Sequence, residues 1–342
     1  MCTSIIIKSK SGNPYWGRTM DFVPQFFDTP NEPAIIPSQI INIPANYEIH
    51  SELENWKSKY AIMGVGLKNS EILYDGINEK GLVGDIQILT EATHASLDSL
   101  ESRNLKPVLG EEFFTYILSQ CKNITEVKEL TSKLGLLDQK YHLKNHELSL
   151  SPHYTFMEES GAAVVLEPTD NGAFKIYDSV GVMTNSPEYS YHTNNIRNYI
   201  SLNDMNITSG NIGGKLPLEP IEKGTGYGLF GLPGDYTSPS RFVRSMYIAN
   251  NINDFSDEEA IPTLYNVFKP VMIPKGMGRY PNNHNLTDYT QYWSGYDIKN
   301  RTLYLQIPTC LTLTKVTLNS QSDKLITMDI NEDWKTNNPI QA

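Results

Sequence analysis

The chain has 342 residues, with 28 Lys plus Arg against 39 Asp plus Glu and a net charge of −11 at pH 7. That balance, with no long basic run, argues against nucleic acid or an anionic membrane as partner. The longest apolar runs, such as SIII and AAVVL, fall far short of the ~18 residues of a membrane span, and no basic start, apolar stretch and cleavage site open the chain, so a cytoplasmic protein is expected.

The first ninety residues read as short β-strands: CTSIIIKSKSG, NPYWGRTMDF, YAIMGVGL and LVGDIQIL, with SGN and DGIN as turn signals between them. EEFFTYILSQC and ITEVKELTSKLG then carry apolar residues at helical spacing, the second opening on Asn123 as a cap. SPHYTFMEES, AAVVLEP, AFKIYDS and VGVMTN form a second block of strands, followed by a helix-like SYHTNNIRNYISL. SPSRFVRSMYIANNI, with Pro239 near its start, and DEEAIPTLYNVFKPVM predict two more helices. YTQYWSGYDI and RTLYLQI close the chain as a strand pair. Between them, the Asn-, Gly- and Pro-rich stretch 203–226 reads as a long ordered or functional loop. Strands and helices in separate runs predict an α+β fold rather than alternating βαβ units. Without an evident linker, one domain over 1–342 is favoured despite a length prior of about two.

Cys2, Cys121 and Cys310 are too few and scattered for a disulfide framework or a cysteine zinc site. His142 and His146 stand four apart in a polar, loop-like stretch without the HExxH order, so no metal is expected. Neither GxGxxG nor GxxxxGK[ST] occurs, which leaves nucleotide cofactors without support.

The opening MCTSIII puts a thiol directly behind the initiator methionine. Met1 is expected to be removed before so small a side chain, which gives Cys2 both a thiol and a free α-amine. A thiol attacks as thiolate and needs a base or nearby cation at neutral pH; an α-amine with a pKa of about 8 supplies a base. A buried edge strand is the plainer reading of MC alone. GRTMD adds Arg18, whose guanidinium stabilises a thiolate, and Asp21, whose carboxylate orients an ammonium. Three positions apart on a flat strand they face opposite sides, so a bend or bulge near Met20 is required for both to reach Cys2.

MCTSIII, GRTMDF, DGINEKGL, VGVMTNSPEY, NNIRNY, GLPGDYTSPSRFVR and YTQY, in this order from Cys2 to the last strand pair, closely resemble the choloylglycine hydrolase family of bile salt hydrolases and penicillin V acylases. The resemblance implies an N-terminal nucleophile hydrolase with a four-layer αββα fold, two antiparallel sheets between helix layers. It implies Cys2 as nucleophile with its own α-amine as base, and Arg18 and Asp21 in support. Asn185 of MTNSP then donates its side-chain amide to the oxyanion, and Arg241 of SRFVR is a further active-site arginine, with Arg244 structural or interfacial. A neutral amide stabilises a developing oxyanion without protonating it.

Six residues past the leucine of NEKGL, where bile salt hydrolases carry asparagine and penicillin V acylases often tyrosine, the count reaches Ile88, or Gln87 with a one-residue deletion. A backbone N–H contact to the oxyanion survives that change, but the substrate pocket is altered. Tyr15, Trp16, Phe22, Phe26 and Phe27 cluster near the catalytic segment. Core packing suits Tyr15 and Trp16; Phe26 and Phe27, between Pro24 and Pro30, are expected to contact substrate.

The expected activity is therefore a cofactor-free cysteine amidase cleaving a linear carboxamide of a small acylated molecule. SPSR and VMTNSP lean slightly to penicillin V acylases, with conjugated bile salts as the alternative and N-acyl homoserine lactones third. A catalytically silent binding or scaffold homologue is the rival of another class. The resemblance also implies a homotetramer, with the 203–226 loop as an assembly element.

Overall fold

The computed structural model describes residues 1–143 and 146–330. A seven-stranded sheet runs in the order Val182–Met183, Cys2–Lys8, Pro14–Phe22, Asn283–Asp297, Thr302–Gln306 and Thr314–Thr317, with Gly278–Tyr280 also on Asn283–Asp297. A ten-stranded sheet places Ser38–Ile43, Ile62–Leu67, Leu73–Asn78, Val83–Ile88 and Pro152–Met157 side by side at its centre.

Strand alternation builds the layers. Ile40 and Ile41 are neighbours with no exposed surface, yet Ile40 packs with Cys2, Trp16, Met20 and Met63 between the sheets, whereas Ile41 packs with Phe113, Phe114 and Ile117 of the helix Gly110–Gln120. On the seven-stranded sheet, Ile5, Ile7 and Tyr15 turn outward to Phe242, Leu264 and Phe268 of the helices Ser238–Asn251 and Ala260–Phe268. The result is helix, sheet, sheet, helix: the αββα arrangement expected.

The main expected strands and helices form, and Asn123 caps Ile124–Thr131 by accepting from the Glu126 N–H at 2.9 Å. Five stretches differ from the expectation. DGIN is no turn but the end of the strand Leu73–Asn78; the reversal falls at Gly81, which has a φ of +85°. The helix-like stretch 190–202 tightens into a 3₁₀ turn at Ile196–Tyr199 after the helix Tyr189–Asn195. The 203–226 stretch carries its own hairpin, Gly210–Ile212 with Leu216–Leu218. The chain does not close on the strand pair, because Thr314–Thr317 and Ile326–Met328 add an edge to each sheet. His142 lies in the strand Tyr141–Leu143, paired antiparallel with His146–Leu148, rather than in a loop, and the His146 side chain lies outside the described residues. Among the described residues no helix is long and apolar enough to cross a membrane, and no cluster suits a metal ion.

Candidate active site

Cys2 begins the strand Cys2–Lys8 and pairs with Met20, while Ser4 pairs with Arg18. Alternation therefore sends Cys2, Arg18 and Met20 to the same face, into the space between the sheets. Arg18 Nη2 donates to the Cys2 Sγ at 2.9 Å, and Met20 Sδ lies 3.9 Å from that sulfur. The cysteine is 2% exposed. Burial pushes its thiol pKa up, while the Arg18 charge pulls it down. Burial also works against the charge on Arg18, but Cys2, Tyr292, Asp85 and Asp75 outweigh it and hold the guanidinium protonated.

The bulge anticipated near Met20 is present, with its extra residue on the partner strand: Met20 faces Tyr292 and Asp21 faces Thr290, which leaves Gln291 unmatched. It does not turn Asp21 to the thiol. The Asp21 carboxylate accepts from Thr19 Oγ1 at 3.0 Å and Thr290 Oγ1 at 2.6 Å. Its backbone meets Met1, the Asp21 N–H donating to the Met1 carbonyl at 2.8 Å and the Met1 ammonium to the Asp21 carbonyl at 2.5 Å. Arg18 thus serves the cysteine side chain, and Asp21 serves the backbone that leads into it. Burial raises the Asp21 pKa against the lowering effect of Arg241.

Asn185 lies just past the short strand Val182–Met183, itself paired with Cys2–Lys8. Its Oδ1 accepts from the Cys2 N–H at 2.6 Å and from Arg241 Nη2 at 2.9 Å, while its Nδ2 donates to the Ile88 carbonyl at 2.9 Å. Two donors on one side and an acceptor on the other fix the amide orientation. In this arrangement the Asn185 oxygen accepts from the cysteine nitrogen, and one of the two hydrogens on its Nδ2 goes to the Ile88 carbonyl. Arg241 comes from the first turns of Ser238–Asn251; Nη1 reaches the Cys2 carbonyl and Thr3 Oγ1, both at 2.5 Å. Arg244 donates to the carbonyls of Pro233 and Asp235, both at 2.6 Å.

Cys2, Arg18, Asp21, Asn185 and Arg241, separated by up to 239 positions, thus converge at one strand end. The expected substrate contacts do not all join them. Phe26 and Phe27 are buried at 4% and 6%, packing edge-on against Tyr292; Pro24 and Pro30 signal an irregular segment, but the segment folds inward over the sheets. Phe27 also borders a cleft of about 300 Å³ with Gln25, Glu32, Lys275, Tyr289 and Gln291. Gln87 is 1% exposed and donates to Ser4 Oγ at 3.1 Å and Asp85 Oδ2 at 2.8 Å, so it is a strut between the sheets. Ile88 is half-buried and enters through its carbonyl.

Sequence reasoning missed Asp75, Asp85, Ser238 and His192. Ser238 Oγ and His192 Nε2 both hydrogen-bond the Asn185 carbonyl, each at 2.8 Å. Asp75 was hidden by reading DGIN as a turn. Asp85 left a usable signal, because a carboxylate inside an apolar strand demands a partner.

A family described as linear amide C–N hydrolases, choloylglycine hydrolase family, matches residues 2–333. The bile salt hydrolase/transferase of Lactiplantibacillus plantarum is 29% identical over 332 residues, 94% of this chain and 93% of that protein. A structure of a variant conjugated bile acid hydrolase from Clostridium perfringens superposes with a TM-score of 0.82 at 24% identity, covering 97% of each chain. The penicillin V acylase of Pectobacterium atrosepticum is 24% identical over 242 residues, 65% of this chain and 57% of that protein.

Proposed function

The chain belongs to the choloylglycine hydrolase family and is a hydrolase of carbon–nitrogen bonds in linear amides; from that premise we propose that Cys2 is its nucleophile and that its substrates join a bulky apolar acyl group to a small amine, conjugated bile acids foremost. The observation that carries the assignment is the Arg18 Nη2 contact with the Cys2 thiol at 2.9 Å, with the Cys2 nitrogen held 2.6 Å from Asn185 Oδ1.

With Met1 removed, the Cys2 nitrogen is a neutral α-amine oriented by Asn185. It takes the thiol proton, and the thiolate, stabilised by Arg18, attacks the amide carbon. The resulting ammonium gives the proton to the leaving nitrogen as the C–N bond breaks, which leaves a thioester on Sγ. Water, deprotonated by the same amine, attacks the thioester; the acid leaves and the thiol is restored. Arg241 ties the Cys2 carbonyl to Asn185, so the amine and its acceptor move as one body.

Bile acid conjugates come first because the relative named for them matches nearly end to end, whereas the penicillin V acylase match spans 65% of the chain. Penicillin V, favoured by the wording of SPSR and VMTNSP, becomes the second reading, kept by Ile88, whose side chain offers no amide to a polar substrate. Amine release from glycocholate, taurocholate and penicillin V decides between them. Faster release of glycine or taurine is expected. Faster cleavage of penicillin V reverses the order, and no cleavage of any by protein with a free Cys2 favours the silent homologue.

A further inference from the structure

Arg18 spans the two sheets. While Nη2 meets the thiol, Nη1 donates to the carbonyls of Tyr74 and Ile86, each at 3.0 Å. Nε lies 3.5 Å from Asp85 Oδ2, and Nη1 lies 4.0 Å from Asp75 Oδ2. Asp75 and Asp85 are direct partners on neighbouring strands of the ten-stranded sheet, and neither has exposed surface. Two carboxylates side by side in a dry space repel unless a cation stands against them. Arg18 is that cation.

Their remaining valences are also filled. Tyr292 and Tyr296, from the other sheet, donate to the two Asp75 oxygens at 2.6 and 2.5 Å. Thr155 and Gln87 donate to the two Asp85 oxygens at 2.9 and 2.8 Å. Each of the four oxygens has a donor, so the carboxylates have fixed orientations and fix the guanidinium in turn. An arginine side chain is long and loses rotamer entropy when held in one pose; the two carboxylates add to the Tyr74 and Ile86 carbonyls the charge that opposes its turning off the sulfur.

We propose that Asp75 and Asp85 are positioning residues, which, backed by Tyr292 and Tyr296, hold Arg18 in the orientation that places Nη2 on the Cys2 thiol. The role rests on Cys2 being the nucleophile and acts through Arg18. Positioning and plain electrostatics predict opposite signs. Removing a negative charge near a thiolate lowers the thiol pKa, whereas releasing the cation that pairs with the thiolate raises it.

The test is the rate of Cys2 alkylation by iodoacetamide against pH, followed by mass of the Cys2 peptide in protein already lacking Met1. Asp75→Asn is expected to move the midpoint up by about one pH unit, about tenfold slower alkylation below the midpoint. Tyr292→Phe with Tyr296→Phe keeps both carboxylates and is expected to shift it in the same direction; this pair carries the test if Asp75→Asn fails to fold. A downward shift in Asp75→Asn, or an unmoved midpoint in the folded tyrosine variant, overturns the proposal. Alkylation needs no substrate, so failure of the hydrolase reading shows separately, as absent amine release by the native protein.

Discussion

At the level of single residues, the central opposition is between burial, which raises the Cys2 thiol pKa, and Arg18, which lowers it. Arg18→Leu removes the largest effect opposing burial, so hydrolysis at neutral pH is expected to fall at least about tenfold, with the acid limb of the rate profile moved to higher pH; an unmoved limb contradicts the pairing. His192 gives a stability prediction. It is 1% exposed and stacks on Phe242 with centroids 4.9 Å apart. Burial lowers its pKa from 6.5 to about 4. The unfolded chain therefore takes up this proton first, and stability is lost as pH falls from about 6.5 towards about 4. His192→Gln is expected to lose about 2 kcal/mol less than the native protein between about pH 7 and about pH 5, in urea titrations. Equal losses contradict the assignment. Cys2, Arg18 and Asp21 were legible because they fall within one short stretch whose chemistry is self-consistent. The orientation of the Asn185 amide was not, because it is set by Cys2, Arg241 and Ile88, brought together only by the fold.

At the level of elements, three glycines, Gly64, Gly76 and Gly84, stand in register across three adjacent strands. Backbone approaches closely there: a Cβ on Gly84 would lie 2.0 Å from the Thr155 carbonyl oxygen, and one on Gly64 1.9 Å from that of Asp75. Gly84→Ala is expected to cost more than about 3 kcal/mol by urea denaturation; a loss below about 1 kcal/mol contradicts the close approach. Period-two patterning made Cys2–Lys8 and Pro14–Phe22 visible in the sequence. Leu73–Asn78 was obscured because Asp, Gly and Asn are turn formers in isolation. In the sheet, Asp75 finds Arg18 and two tyrosines, Gly76 admits its neighbours, and Asn78 donates to the Leu118 and Cys121 carbonyls.

At the level of the whole molecule, the hairpin Gly210–Ile212 with Leu216–Leu218 projects apolar side chains, with Ile212, Leu216 and Leu218 at 61%, 53% and 46% exposure. Exposed apolar surface of this kind suits contact with another copy of the chain, and we propose that role for it. A homotetramer is expected by light scattering, and Ile212→Ser with Leu216→Ser is expected to dissociate it; a native monomer at working concentration contradicts the assembly. The layered fold itself holds Cys2 where two sheets meet, and everything proposed for catalysis depends on that residue. The decisive measurement is glycine release from glycocholate by the native protein and by Cys2→Ala, alongside intact mass. The native protein is expected to be lighter by one methionine and to release glycine, and the variant, equally folded, to release none; turnover by Cys2→Ala at the native rate would contradict the assignment of the nucleophile.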